Sequence, residues 1–192
     1  MPDIYAAKDF KHLLGLTGFS DALLTNHFTL YEGYVTNTNK LVNILDTKEV
    51  GTPEYSELQR RLGWEWNGMR LHELYFGNMT KEVSTLSEGQ LKKKIEAIYG
   101  SIENWKKNFF GVGAMRGIGW VVLVHDAEKD ELFNIWINEH DLGHLAGTTP
   151  LLVMDVFEHA FMLDYGLKKA DYVETFSRSI DWKIVEARLP NK

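Results

Sequence analysis

The chain carries seven histidines, His12, His27, His72, His125, His140, His144 and His159, and no cysteine. Any bound metal must therefore be held by imidazole nitrogen and carboxylate oxygen; thiolate ligands, disulfides and thiol nucleophiles are excluded. The most informative segment is Asp155-Val156-Phe157-Glu158-His159. An Asp at the end of an apolar run, followed four residues later by a His, can aim an oxygen and a nitrogen at one point, through a helical turn or a strand-to-helix corner. The plainer alternative has Asp155 capping the next helix and His159 packing in the core. A metal would need two more nitrogens. His27 falls on the apolar face of a long helical pattern, and His72 lies among Leu71, Leu74, Tyr75 and Phe76. Apolar surroundings of that kind are what a buried four-ligand centre between helices and a sheet requires. Taken alone, each reads as a hydrogen-bonded core histidine.

The elements that must position these residues are visible in the apolar periodicity. Phe19, Leu23, Leu24, His27, Leu30, Tyr31, Tyr34, Val35 and Leu41 recur at helical spacing, with Ser20 or Asp21 as N-cap. Gly51-Thr52-Pro53-Glu54 then interrupts the pattern; Thr52 caps and Pro53 opens a second helix running to near Phe76. Gly63 and Gly68 inside it cost about 1 kcal/mol each relative to Ala, which calls for close packing or an approaching ligand. Thr80 to Gln90 is polar and places a boundary near residue 84, dividing a helical hairpin over 1–84 from an α+β half over 85–192. Helix patterns over Leu86–Ile98 and Ser101–Phe109 are followed by strand candidates at Trp120–Val124 and Leu132–Ile137, joined by the Ala127–Asp130 turn. A third apolar run, Pro150–Met154, leads into Asp155, and helical patterns from Val156 and over Ala170–Ala187 close the chain. The expected fold class is α+β, with an antiparallel helical hairpin and a small three-stranded antiparallel sheet, any metal lying between the halves.

Of the 192 residues, 44% are hydrophobic, 25% charged and 12% aromatic, the balance of a folded globular chain. A net charge of −6 argues against nucleic acid or an anionic membrane as partner. No apolar run approaches the roughly 20 residues of a membrane span. Met1 to Phe10, with Asp3, Lys8 and Asp9, does not read as a signal-peptide core, and the expected location is cytoplasmic. The glycine-rich Phe110–Gly117 run lacks the third glycine and the βαβ setting of a dinucleotide fingerprint, so no cofactor-binding loop is assigned. His12, His125 and His144 read as structural or exposed, and Trp64, Trp66, Trp105, Trp136 and Trp182 as core aromatics.

Over nearly its full length the chain resembles the iron/manganese superoxide dismutases. Asp155-Val156-Phe157-Glu158-His159-Ala160 is close to that family's D-V-W-E-H-A signature, and Gly147–Leu152 resembles the stretch preceding it. Gly117–Val124 resembles the G-S-G-W-x-W-L-V strand, with Val122 in place of the second Trp. Tyr34-Val35-Thr36-Asn37 resembles Y-V-N-N, His72–Phe76 stands where the second helix has H-x-x-Y/F-W, and Ala170–Tyr172 and Ile180–Trp182 resemble the closing P-D-Y and I-N-W.

The resemblance implies one iron or manganese ion per chain held by His27, His72, Asp155 and His159, with solvent in a fifth position. It implies superoxide as substrate, a pocket lined by Tyr34 and Trp120, and His140 holding the bound solvent, paired with Gly68 where the family often has Gln. It also implies a homodimer, with Glu158 accepting from His159 of a partner copy. Departures remain. His27 precedes Tyr34 by seven residues where the family has eight, so an ungapped alignment puts Asn26 at the ligand position. Either the helix has lost a residue, as at a bulge, or the assignment of His27 fails. The family's gateway His is replaced by Tyr31 or Leu30, with Tyr31 at the dimer interface or packed behind the metal ligands, and its Tyr after H-A by Phe161-Met162. Two other functions share these residues: peroxide or dioxygen chemistry at the same centre, and a non-catalytic dimerisation module.

Overall fold

The computed structural model describes residues 4–190; Asp3 of the N-terminal reading lies outside the described residues. Helix α1 (Asp21–Leu45) begins where Ser20, in extended backbone, accepts from the Leu23 N–H through its hydroxyl. Of the two candidate caps, Ser20 fills the role, while Asp21 accepts from the Gly15 N–H. Helix α2 (Pro53–Gly77) starts at the expected Thr52, whose hydroxyl accepts from the Tyr55 N–H, with Pro53 in the first turn where its missing N–H costs nothing. The two helices pack as a hairpin. The face of α1 turned inward carries Leu24, His27, Tyr31, Tyr34 and Val35.

Helix α3 (Gln90–Tyr99) ends at Gly100, whose φ of +80° suits a residue without Cβ. Ser101 caps α4 (Ile102–Gly113). The sheet follows as β1 (Gly119–Asp126), β2 (Glu131–Asn138) and β3 (Thr149–Asp155), in the order β2-β1-β3 with both pairings antiparallel. Central β1 is buried almost throughout, which explains its continuous apolar run rather than an alternating one. Its register sets Trp120 opposite Asp155, so the two side chains emerge on one face beside the helical hairpin.

After β3 the chain forms a 3₁₀ turn over Glu158–Ala160 and then α5 (Met162–Tyr165), α6 (Lys169–Arg178) and α7 (Trp182–Ala187). The single pattern expected over Ala170–Ala187 is two helices. They part because residues 179–181 use their backbone elsewhere: the Ser179 carbonyl accepts from Thr80, the Asp181 N–H donates to the Asn78 carbonyl, and Met79 bridges Ile180. The buried Asn78 side chain completes this join, donating to the Tyr75 and Val153 carbonyls and accepting from the Val153 N–H and Arg188. Residue 84 lies in the irregular stretch between α2 and α3, yet one apolar cluster runs from Phe10 to Leu189 through both halves.

The two glycines inside α2 differ in what they do. A Cβ on Gly68 would stand 2.6 Å from the Tyr34 ring, so the close packing expected there is real. A Cβ on Gly63 would meet nothing within 4 Å, which corrects the same expectation for that position. Among the tryptophans, Trp105 and Trp182 are buried as expected, whereas Trp66 is 38% exposed and Trp64 and Trp136 are half-buried. Among the described residues, no helix is long and apolar enough to cross a membrane.

Candidate metal centre

His27, His72, Asp155 and His159 each place one ligand atom within 4.8 Å of the others. Asp155 Oδ2 is the common point, 3.2 Å from His27 Nε2, 3.2 Å from His159 Nε2 and 3.7 Å from His72 Nε2. His27 comes from α1, His72 from α2, Asp155 from the last residue of β3 and His159 from the 3₁₀ turn after it. The Asp155–His159 pair is thus brought together by a strand-to-helix corner. Helix α1 is regular α-helix from Asp21 to Leu45, with no bulge. Within it His27 is buried and Asn26 exposed, so the seven-residue spacing to Tyr34, close to two turns, brings His27 to the centre.

The protonation pattern follows from the neighbours. His72 Nδ1–H donates to the Gly68 carbonyl at 2.6 Å, which fixes the tautomer and leaves the Nε2 lone pair directed at the other three groups. That Nε2 is buried and has no hydrogen-bond partner among the described residues. A buried unsatisfied nitrogen costs about 1–3 kcal/mol, and a cation accepting its lone pair removes that cost; the donor set fits an iron or manganese ion in this respect. Burial lowers the proton affinity of both His27 and His72, giving the neutral imidazoles that ligation needs. Burial alone would raise the Asp155 carboxyl; His159 and His27 outweigh it and hold the group well below the usual carboxylate range. Asp155 also fills the plainer role considered for it. Its Oδ1 accepts from the Phe157 N–H at 2.8 Å, so one oxygen holds the corner while the other faces the histidines.

Tyr34, Trp120 and His140, from three separate elements, meet beside this cluster. The Trp120 indole N–H donates to His140 Nδ1 at 3.0 Å. Because an indole can only donate, that nitrogen carries no proton and the imidazole hydrogen sits on Nε2. From there it is given to Tyr34 Oη at 2.8 Å. The hydrogen expected to hold bound solvent is therefore directed at Tyr34. Burial pushes His140 down to about 4, so the ring is neutral at pH 7, and burial raises the Tyr34 hydroxyl, which stays protonated. Tyr34 stacks on His72 with centroids 5.2 Å apart.

Other expected residues border this cluster or stand apart from it. Tyr31 is fully buried within the single chain. Its hydroxyl accepts from the Lys8 N–H and donates to Glu73, and its ring lies 6.4 Å from that of His72. Glu158 is exposed, and the His159 side chain, at 29%, is the most open of the four. His12 is exposed, His125 pairs with Asp130 at 2.9 Å, and His144 donates to the His140 carbonyl at 2.9 Å. Sequence reasoning missed two neighbours. Phe157 stacks on both His140 and His159, and Trp64 meets His140 edge-on at 4.5 Å. The signal for Phe157 was its place inside the signature; for Trp64 it was the spacing of two turns before His72.

Comparison with known proteins adds an independent observation. Residues 87–188 match the family described as "Iron/manganese superoxide dismutases, C-terminal domain". "Superoxide dismutase [Fe]" of Cupriavidus metallidurans is 36% identical over 181 residues, covering 91% of this chain and 90% of that protein. "Superoxide dismutase [Mn] 2" of Haloferax volcanii is 35% identical over 172 residues, covering 88% and 86% respectively. "Superoxide dismutase [Fe]" of Aquifex pyrophilus is 32% identical over 191 residues, covering 95% and 89%.

Proposed function

This chain belongs to the iron/manganese superoxide dismutase family, and we propose that it converts superoxide to oxygen and hydrogen peroxide at one iron or manganese ion held by His27, His72, Asp155 and His159. The observation that carries the reading is the convergence of one atom from each of those four side chains within 4.8 Å. When bound, such an ion supplies one-electron redox chemistry, able to take an electron from one superoxide and return it to another.

The chain's own residues bind, orient and supply protons. Three imidazoles and one carboxylate would offset only part of the charge of a bound trivalent cation, leaving a net positive centre for an anionic substrate. The reduced product needs two protons for each peroxide formed. Tyr34 is placed to deliver them: its Oη accepts from His140, which leaves the phenolic hydrogen uncommitted to that partner and free for donation into the pocket. Trp120 fixes the imidazole's tautomer, and His140 in turn fixes the phenol. Trp120 and Phe157 wall the pocket with apolar surface.

The reading extends to a cytoplasmic homodimer. The exposed Glu158 carboxylate beside the partly open His159, followed by exposed Met162 and Leu163 at 40% and 58%, supports a second copy docking there. The purified protein is expected to hold about one iron or manganese per chain and to release one hydrogen peroxide for every two superoxide ions consumed, followed by pulse radiolysis with peroxide assay. A metal-loaded protein that leaves superoxide untouched, or that consumes hydrogen peroxide instead, would overturn the reading.

A further inference from the structure

Arg61, Trp64, Gly68 and His72 follow one another at three- and four-residue steps and so share one stripe of α2. Only the last two are accounted for by the metal centre. The Trp64 indole lies at 74° to the His140 ring with centroids 4.5 Å apart, and 5.6 Å from the Tyr34 ring. Its N–H reaches across to the chain segment after β2, donating to Glu139 Oε2 at 3.0 Å. The Arg61 guanidinium stands 3.9 Å from the indole ring centroid and is itself held by the buried Glu65 carboxylate at 2.7 Å.

Glu139 has a φ of +50°, in the left-handed region that disfavours any residue with a Cβ. Such a conformation persists only where the surroundings over-determine it. The reversal leaves Glu139 exposed and turns the next residue, His140, fully inward. Trp64 therefore grips the same loop twice, through the His140 ring and through the carboxylate of the residue before it.

We propose that Trp64 is a positioning residue for the reaction: from the outer side of the pocket it sets the placement of His140 on Tyr34 and closes His140 off from solvent, with Arg61 and Glu139 as its supports. The catalytic half of this statement rests on the dismutase reading; the structural half does not. Its test therefore has two readouts, taken on metal-loaded protein.

The first is modification by diethyl pyrocarbonate, which acylates accessible unprotonated imidazole nitrogens, mapped by peptide mass spectrometry. In the parent protein His12, which is exposed, is expected to react, and His140, which is fully buried, is expected not to. In Trp64→Ala, His140 is expected to react at a rate within about tenfold of His12, while Trp64→Phe, which restores a ring, keeps it sheltered. The second readout is activity per bound metal, expected to fall roughly tenfold in Trp64→Ala and to recover most of that loss in Trp64→Phe, as for a displaced positioning group. Should Trp64→Ala fail to fold, Glu139→Ala removes only the indole's acceptor at the surface and is expected to open His140 to a lesser degree. His140 remaining unmodified in the folded variant overturns the proposal, as does an opened His140 with unchanged activity per metal. A parent protein lacking activity but showing the same protection pattern would instead sink the dismutase reading and leave the structural clamp standing.

Discussion

His27→Ala is expected to purify with less than about a tenth of the parent's metal and more than about 100-fold less activity, while Asn26→Ala keeps both unchanged. The pair is chosen because sequence spacing alone admits either residue. In the structure His27 is buried with Nε2 3.2 Å from Asp155 Oδ2, and Asn26 faces solvent one residue earlier on the same helix. Loss of an outer hydrogen-bonding partner of a metal ligand costs roughly 10–100-fold in affinity or activity, and loss of a ligand itself exceeds that. The truncation also takes from Asp155 one of the two nitrogens that hold its carboxylate ionised despite burial. Metal content by plasma mass spectrometry, measured alongside dismutase activity, decides between the two residues. A metal-replete His27→Ala would remove α1 from the centre.

The second large effect is expected at His140. His140→Ala leaves the Trp120 indole N–H, in a fully buried residue, without its acceptor and frees the Tyr34 hydroxyl from the group that orients it. An unsatisfied buried donor costs about 1–3 kcal/mol in stability. Activity per bound metal should fall about 100-fold, equivalent to roughly 2.7 kcal/mol of transition-state stabilisation. His140→Gln can accept from Trp120 through its carbonyl and donate to Tyr34 through its amide, and is expected to recover activity to within about tenfold of the parent. Steady-state rates normalised to metal check both. Equal rates in the alanine variant and the parent would reduce His140 to packing.

Local signals carried much of the fold. The caps Ser20 and Thr52, the Pro53 start and the turn over residues 127–130 are read from one or two side chains each, and each falls where the chain places it. The pairing of Trp120 with Asp155 was not legible, because strand register is decided by burial and pairing across distant segments. Nor was the break between α6 and α7, which depends on residues 78–80 pairing with residues 179–181. The apolar period runs through that break unbroken.

The site divides in the same way. Asp155 and His159 stand out because four residues of chain confine them to one corner. His27 and His72 have the same local appearance as core histidines, and only the family resemblance connected them. Trp64 was read as core because helical periodicity reports which face is inward and not what that face meets; its partner Glu139 is 75 residues away. The bonding of Tyr31 was hidden for a related reason. It shares the inward face of α1 with His27, but its hydroxyl is taken by Lys8 and Glu73, two positions with no sequence mark of that contact.

The central claim is that one redox-active cation is shared by four side chains from distant parts of the chain. Anomalous scattering from crystals of the metal-loaded protein, collected across the iron and manganese absorption edges, tests it most directly. The expected result is one peak per chain, bounded by His27 Nε2, His72 Nε2, Asp155 Oδ2 and His159 Nε2. A peak away from those atoms, or density showing the His27 ring turned from the other three, would contradict it.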